Sequence, residues 1–217
     1  MILKDIDYYS SEKNSIKLTL LNKYFYNKIN IEQIKNMKQK HVFNKKLLKI
    51  KVIIIKHKVN NLNNFINLRF IDASNKILCT SLMKKLTKIE KLYGSYIEFI
   101  QNVNHMKNLK VLVCDGYSNI DQNGIKKLKC LRELLCNDNH NITNVNHMSN
   151  LKILHCEDTC GIDQDGINKL YKLKKLYCMS NTKINNVNHI TKLRKLLCSF
   201  SGIKKKNNII YYRNMKE

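Results

Sequence analysis

The chain lacks proline and tryptophan altogether, has a single alanine (Ala73), and holds only six glycines in 217 residues. So few glycines leave little room for a phosphate-cradling loop, and no Gly-x-x-x-x-Gly-Lys occurs. Gly-x-Ser-x-Gly and His-Glu-x-x-His are absent too, so neither a hydrolase elbow nor a zinc-protease helix is written here. There is no Cys-x-x-Cys among the eight cysteines; Cys156 and Cys160 are four apart, Cys130 and Cys136 six, and neither spacing suits zinc. Long apolar runs are missing: the burst Val52-Ile53-Ile54-Ile55 falls far short of the ~18 to 20 residues of a membrane span. The start, Met1-Ile2-Leu3-Lys4-Asp5-Ile6-Asp7, turns acidic early and lacks a signal peptide's apolar stretch. The expectation is an intracellular, cytoplasmic chain with reduced cysteines, no membrane contact, no metal, no cofactor and no enzymatic activity.

Acid is scarce as well. Sixteen Asp and Glu face 40 Lys and Arg, a formal net charge of +24. Such a balance points toward nucleic acid or an anionic surface. Its distribution argues otherwise. Residues 1–60 carry 14 basic and 4 acidic side chains, residues 61–203 carry 21 and 11, and residues 204–217 carry 5 and 1. The excess is spread along the chain instead of gathered in a stripe. Abundant lysine, asparagine and isoleucine also follow A/T-rich codons, so genome composition accounts for part of it. Binding to nucleic acid through a basic surface stays open as the alternative to the reading below.

What is present is a repeat. Asn102-Val103-Asn104-His105-Met106, Asn144-Val145-Asn146-His147-Met148 and Asn186-Val187-Asn188-His189-Ile190 recur every 42 residues. Each leads into a run of one type: Leu109 to Cys114, Leu151 to Cys156 and Leu193 to Cys198. Leu131 to Cys136 and Leu173 to Cys178 fall halfway between. The unit is therefore Leu-x-x-Leu-x-Cys every 20 or 22 residues. An apolar residue stands six positions after each of the first four of these cysteines (Ile120, Ile142, Ile162, Ile184). Weaker units precede, around Ile89, Leu92 and Gly94 and around Leu68, Ile71 and Ala73, with a further start between Leu47 and Ile55. A coil this short cannot bury its own apolar side chains, so stacked coils must share one core.

The pattern resembles the leucine-rich repeat. That resemblance implies an α/β solenoid: a curved parallel sheet, with short helices or turns on the convex side. Ile120-Asp121-Gln122-Asn123-Gly124-Ile125 and Ile162-Asp163-Gln164-Asp165-Gly166-Ile167 are similar to the Ile-Thr-Asp-x-Gly-Leu stretch of the cysteine-containing repeats of F-box proteins. Their glycines suit a turn of positive φ leading into a short helix. The asparagine or cysteine usual three residues after the inward cysteine is met by Asn139 and Asn181 alone, with Tyr117, Thr159 and Ser201 elsewhere, so irregular convex turns are expected. Skewed composition with such repeats also resembles repeat families of large A/T-rich DNA viruses; an A/T-rich protist is equally open.

The expected organisation is a helical segment over residues 1–46, a leading coil or linker over 47–64, repeats over 65–203 and a basic cap over 204–217. In the first segment Leu18, Leu21, Phe25 and Ile29 fall at helical spacing, widened by Leu20 and Tyr24. Lys17 to Ile29 resembles the second half of an F-box, without the family's opening Leu-Pro. The resemblance implies docking on a Skp1-type adaptor of a ubiquitin ligase, with Leu18, Leu21 and Phe25 as fold or docking positions. The alternative is a helical cap over the first coil, which a solenoid needs.

Two ladders invite a metal reading and fail it. The in-register cysteines Cys114, Cys136, Cys156, Cys178 and Cys198 sit at an inward repeat position, where a free thiol serves as a small apolar group. Cys79 is expected to point inward as well. His105, His147 and His189 lie two coils apart, roughly 10 Å at the strand spacing, too far to share an ion. A turn position bonded to the neighbouring coil's backbone explains them better.

Strand side chains alternate, so the x positions face outward. The x before each cysteine reads Asp72, Tyr93, Val113, Leu135, His155, Tyr177 and Leu197. A merely solvated column would be polar; this one is largely apolar or aromatic, as protein-binding surfaces are. Asp115, Asp138, Glu157 and Asp158 form an acidic flank beyond it, and Lys110, Arg132, Lys152, Lys174 and Arg194 a basic flank before it. A protein partner on the concave face, anchored by Tyr93, Leu135, Tyr177 and Leu197, fits this arrangement; the acidic flank would repel a phosphate backbone.

Overall fold

The computed structural model describes residues 52–54, 67–72, 83–95, 100–116, 118–198, 203 and 210–211. Residues 1–46, with Leu18, Leu21 and Phe25, lie outside the described residues, as does Cys79.

Every Leu-x-x-Leu-x-Cys run supplies one three-residue strand, and the weaker units before them supply three more. The strands are β1 (Val52–Ile54), β2 (Phe70–Asp72), β3 (Lys91–Tyr93), β4 (Val111–Val113), β5 (Glu133–Leu135), β6 (Ile153–His155), β7 (Lys175–Tyr177) and β8 (Lys195–Leu197). A two-residue strand, β9 (Ile210–Tyr211), follows. They form one nine-stranded sheet in chain order, parallel throughout. The register never slips: Leu112, Leu134, Leu154, Leu176 and Leu196 stand side by side. β1 lies in the expected leading coil, and β9 in the segment expected to close the last one.

The central residue of each described coil's strand is fully buried while its two neighbours are only partly covered or exposed. Period-two alternation explains this once one face is packed. Each buried leucine contributes roughly 1.5 to 3 kcal/mol, an upper figure because unfolded chains already bury some surface. Cys114, Cys136, Cys156 and Cys178 are buried in the same core. Their amides extend the ladder past the strands, Cys136 N–H donating to the His155 carbonyl at 3.0 Å and Cys178 N–H to Leu197 at 2.8 Å.

Two positions after each of these cysteines the backbone turns left-handed: Gly116 (φ 63°), Asp138 (57°), Asp158 (54°) and Ser180 (58°). This sharp turn sends the chain from the sheet toward the opposite side of the coil. Aspartate tolerates it better than most residues; here the Asp138 Oδ1 reaches the following coil, accepting from the Thr159 hydroxyl at 2.9 Å.

The far sides of the coils alternate, which is why the full period is 42 and not 21. The 22-residue coils carry the one-turn helices α1 (Gln122–Ile125) and α2 (Gln164–Ile167), capped by Asp121 and Asp163 accepting from the Gly124 and Gly166 amides. The 20-residue coils carry the Asn-Val-Asn-His segment, drawn in as an Asx turn: Asn146 N–H donates to Asn144 Oδ1 at 3.0 Å. The two types interlock. Gln122 Oε1 accepts from the Thr143 and Asn144 amides, and its Nε2 donates to the Asn144 carbonyl. Gln164 repeats the first pair with Asn185 and Asn186.

The glycines depart from expectation. Gly124 and Gly166 lie within α1 and α2, and the left-handed turn belongs to the positions after the cysteines instead. Their role is close approach. A Cβ on Gly124 would stand 2.0 Å from the Gln101 carbonyl oxygen, and one on Gly166 2.2 Å from that of Thr143.

The irregular turns also resolve into a rule. Where the 20-residue coils bury Asn139 and Asn181 three positions after cysteine, the 22-residue coils bury Ser118 and Cys160 four positions after it. Both asparagines act alike. Asn139 Nδ2 donates to the Cys114 and Ile120 carbonyls at 3.0 and 3.2 Å, and its Oδ1 accepts from the Asn141 amide at 3.0 Å.

Candidate functional site

The open face of the sheet carries two columns of side chains. The column singled out from the sequence is one of them: Asp72, Tyr93, Val113, Leu135, His155, Tyr177 and Leu197 all face outward, each half-buried by its neighbours. The other occupies the first strand position: Phe70, Lys91, Val111, Glu133, Ile153, Lys175 and Lys195. Sequence reasoning passed over this second column, although the same alternation rule exposes it. Together they place Val111 and Val113 of β4, Leu135 of β5 and Ile153 of β6 in one apolar field.

Aromatic contacts fix the two ends of that field. Phe70 meets the Tyr93 ring edge-on with centroids 5.0 Å apart. His155 stacks on Tyr177 at 3.9 Å with the rings 12° from parallel, and the Lys195 ammonium lies 5.0 Å from the Tyr177 centroid. Burial holds the His155 imidazole down at about 4, and repulsion from Lys195 and Lys175 adds to it. At neutral pH this ring is an uncharged stacking surface. Its depressed value also sets an acid sensitivity. The unfolded chain takes up the proton near the ordinary 6.5, whereas the folded chain resists until about 4, so stability should fall as pH drops through that window. NMR titration of the imidazole should show it neutral at pH 5, and His155→Gln should flatten the decline seen in urea melts between pH 7 and 5.

The acidic flank is tied into the coil turns. Asp115 accepts from the Asn137 amide at 2.8 Å and the Ser95 hydroxyl at 3.4 Å, while Asn137 Oδ1 accepts from the Glu157 amide at 2.9 Å. Burial raises the Asp115 carboxyl, with the Asn137 and Ser95 bonds opposing it. Burial raises Glu157 too, reinforced by Asp158 and Asp115. Asp138 and Asp158 stand at left-handed turn positions, so each has a local structural reason besides any contact with a partner. On the basic side, Lys110 bonds Glu90 at 2.7 Å and Arg69 reaches the same carboxylate. Arg132, Lys152 and Arg194 are exposed and Lys174 partly so.

The two ladders have structural roles. His105, His147 and His189 donate through Nε2 to the carbonyls of Met83, Ile125 and Ile167 in the preceding coil, at 2.7, 3.0 and 3.0 Å. The buried cysteine column consists of free thiols. Burial raises Cys114 and Cys156 well above the ordinary range; Cys136 rises likewise through its contact with Cys160, then burial. Cys198 is only partly covered and Cys130 is exposed. Cys160, outside the in-register column, is buried with its sulfur 3.8 Å from that of Cys136.

Solved structures share this architecture. An internalin C2 from Listeria monocytogenes superposes with a TM-score of 0.59 at 19% identity, covering 76% of this chain and 78% of that one. The functional domain of InlJ from the same organism, which includes a cysteine ladder, gives 0.57 at 22% identity over 69% of this chain and 34% of that one. A leucine-rich-repeat protein of Leptospira interrogans gives 0.54 at 16%, over 72% and 44% respectively. The chain has the leucine-rich-repeat fold.

At these identities the likeness concerns architecture alone. No protein-family model and no curated protein matches the sequence. The site of this leucine-rich-repeat chain must therefore be read from its own open face. Among the described residues no helix is long and apolar enough to cross a membrane. The large apolar side chain that stands out as exposed, Tyr171 at 58%, is off the sheet and meets His189 edge-on at 6.3 Å.

Proposed function

We propose that the chain is a non-enzymatic recognition module that holds a partner protein against the open, concave face of its sheet. The observation that supports this is the apolar field of Val111, Val113, Leu135 and Ile153, bounded by Tyr93 and by the His155–Tyr177 stack. Contiguous apolar side chains left partly in water are costly on a monomer and mark interaction surfaces. Aromatic anchors at the ends supply large contact area at low entropic cost. Leu197 continues the same outward column on β8. The acidic groups Asp115, Asp138, Glu157 and Asp158 set orientation from one side, and the basic row sets it from the other.

The F-box resemblance of residues 17–29 supports a second arm to this reading. Leu18, Leu21 and Phe25 dock a Skp1-type adaptor, and the repeats present the bound partner to a ubiquitin ligase. Affinity capture from source cells, with the intact chain and with residues 47–217, separates the arms. An adaptor recovered only with the intact chain supports the second; its absence from both removes it.

For the face itself, the double variant Tyr93→Asp with Tyr177→Asp should lose the captured partner by at least about tenfold, since two buried aromatic anchors each cost upwards of 1 kcal/mol. Binding of plain DNA and RNA across a salt series supplies the contrast. Tight binding that weakens steeply with salt and ignores the double variant would move the function to the basic surface.

A further inference from the structure

Resting on the open face as the binding surface, we infer that the bound segment carries a lysine or arginine between apolar residues, and that Glu133 selects it. Glu133 opens β5 in the middle of the field. Its register partners on either side are Val111 and Ile153. Leu135, two residues along the same strand, shares its face, with Val113 and His155 beside it. The carboxylate is half-buried; it lies near enough to the Tyr93 phenol to help raise that group, behind the effect of burial, and no cation pairs with it among the described residues.

Other charges near the sheet are placed differently. Glu90, one position before β3, is gripped by Arg69 and Lys110. Within Glu133's own column the next cations are Lys91 and Lys175, each two strands away, roughly 10 Å at the strand spacing. Arg132, its chain neighbour, is exposed in the basic row. On the other side Asp115 and Glu157 add negative charge, and neither can serve as a counter-ion.

This isolation has a consequence for any occupant. A wholly apolar segment laid over the field would strip water from Glu133 without compensating it, which is strongly unfavourable. A cationic side chain at that point replaces the lost water and gains from the low-dielectric surround. Apolar residues on both sides of it fill the positions over Val111, Val113, Leu135 and Ile153. The same charge repels phosphate, so it discriminates between partner classes as well as among peptides. Carboxylates on the ligand then fit the side facing Arg132, Lys152 and Lys174.

The test is selection of a phage-displayed library of random peptides on the full-length chain, followed by affinity measurement with the synthetic winners. Enriched peptides should share a basic residue between apolar ones, and replacing it with glutamine should weaken binding at least about tenfold. Selection on Glu133→Lys should exchange that residue for aspartate or glutamate. Circular dichroism confirms that the variants fold. Peptides that lose binding on Leu135→Asp yet ignore Glu133→Lys would overturn the inference and leave the open face standing. Peptides indifferent to both substitutions would overturn the two together. Retention of random RNA in place of peptide, strengthened by Glu133→Lys, would do the same.

Discussion

Replacing Gly166 with alanine should lower the melting temperature by about 6 to 12 °C. The added methyl would sit 2.2 Å from the Thr143 carbonyl oxygen and 3.3 Å from the Asn144 Cα, both backbone atoms of the preceding coil. A flexible side chain could swing aside; a backbone carbonyl in a stacked coil cannot. Overpacking commonly costs about 1 to 3 kcal/mol, and a clash this close belongs at the upper end. In a chain of this size 1 kcal/mol shifts the midpoint by about 2 to 4 °C. The Gly166 carbonyl also accepts from the Val145 amide at 3.0 Å, so pushing the coils apart strains that bond as well. Gly124→Ala should behave alike, since its Cβ would meet the Gln101 carbonyl oxygen at 2.0 Å. Asn123→Ala, at an exposed position of the same one-turn helix, is the control and should change little. Thermal melts followed by circular dichroism decide it. A Gly166→Ala melt matching the control would show that the coils are not stacked this closely.

The glycines illustrate what the sequence can and cannot disclose. Their recurrence 42 residues apart marked them as structural, but recurrence does not say which constraint a glycine meets. Freedom of φ is a local property; clearance for a carbonyl one coil back is a tertiary one, invisible until the stacking distance is known. The left-handed positions were hidden for the same reason. Asp138 and Asp158 read as an acidic flank, because nothing in a single sequence separates an aspartate placed for its charge from one placed for its turn. The leucine–cysteine columns were legible because burial acts on every coil identically, and period-two alternation inside a strand leaves no choice of face. That same rule exposes Phe70, Val111, Glu133 and Ile153. They were overlooked because attention to the residue before cysteine treated one outward column as the whole face. The Lys17 to Ile29 stretch has no repeat to lend it redundancy, so its reading depends on resemblance alone.

Ser118 and Cys160 show how alternation blurred the repeat. The position filled by asparagine in the shorter coils moves one residue along in the longer ones, so alignment by cysteine placed Tyr117 and Thr159 there instead. A small buried side chain is thus present at this level of successive coils (Ser118, Asn139, Cys160 and Asn181), while its sequence signature is not continuous. In a solenoid each coil is held only by its neighbours. A polar group that satisfies backbone atoms between coils therefore bears on a whole interface, and the two asparagines are the strongest instances among the described residues.

Asn139→Ala should accordingly be as damaging as the glycine substitutions, at about 3 kcal/mol or more. It leaves the Cys114 and Ile120 carbonyls without their buried partner, and each buried backbone group left unsatisfied costs about 1 to 3 kcal/mol; the Asn141 amide, at an exposed residue, loses its bond to Oδ1 as well. Asn181→Ala should repeat the effect through the Cys156 and Ile162 carbonyls and the Lys183 amide. Aspartate at 139 gives the sharper test, because it keeps the shape and removes only the donors. Its ionised carboxylate would face two carbonyl oxygens, so folding would favour the protonated form and raise its pKa above the unfolded value near 3.9. The folded state then binds more protons than the unfolded one, and stability must rise as pH falls from the raised folded value toward 3.9. Urea melts of Asn139→Asp should therefore regain more of the lost stability on acidification than those of Asn139→Ala, which keeps only the pH dependence of the other groups, Asp115 and Glu157 among them. Parallel pH profiles for the two variants would mean that the amide hydrogens do not hold these coils together.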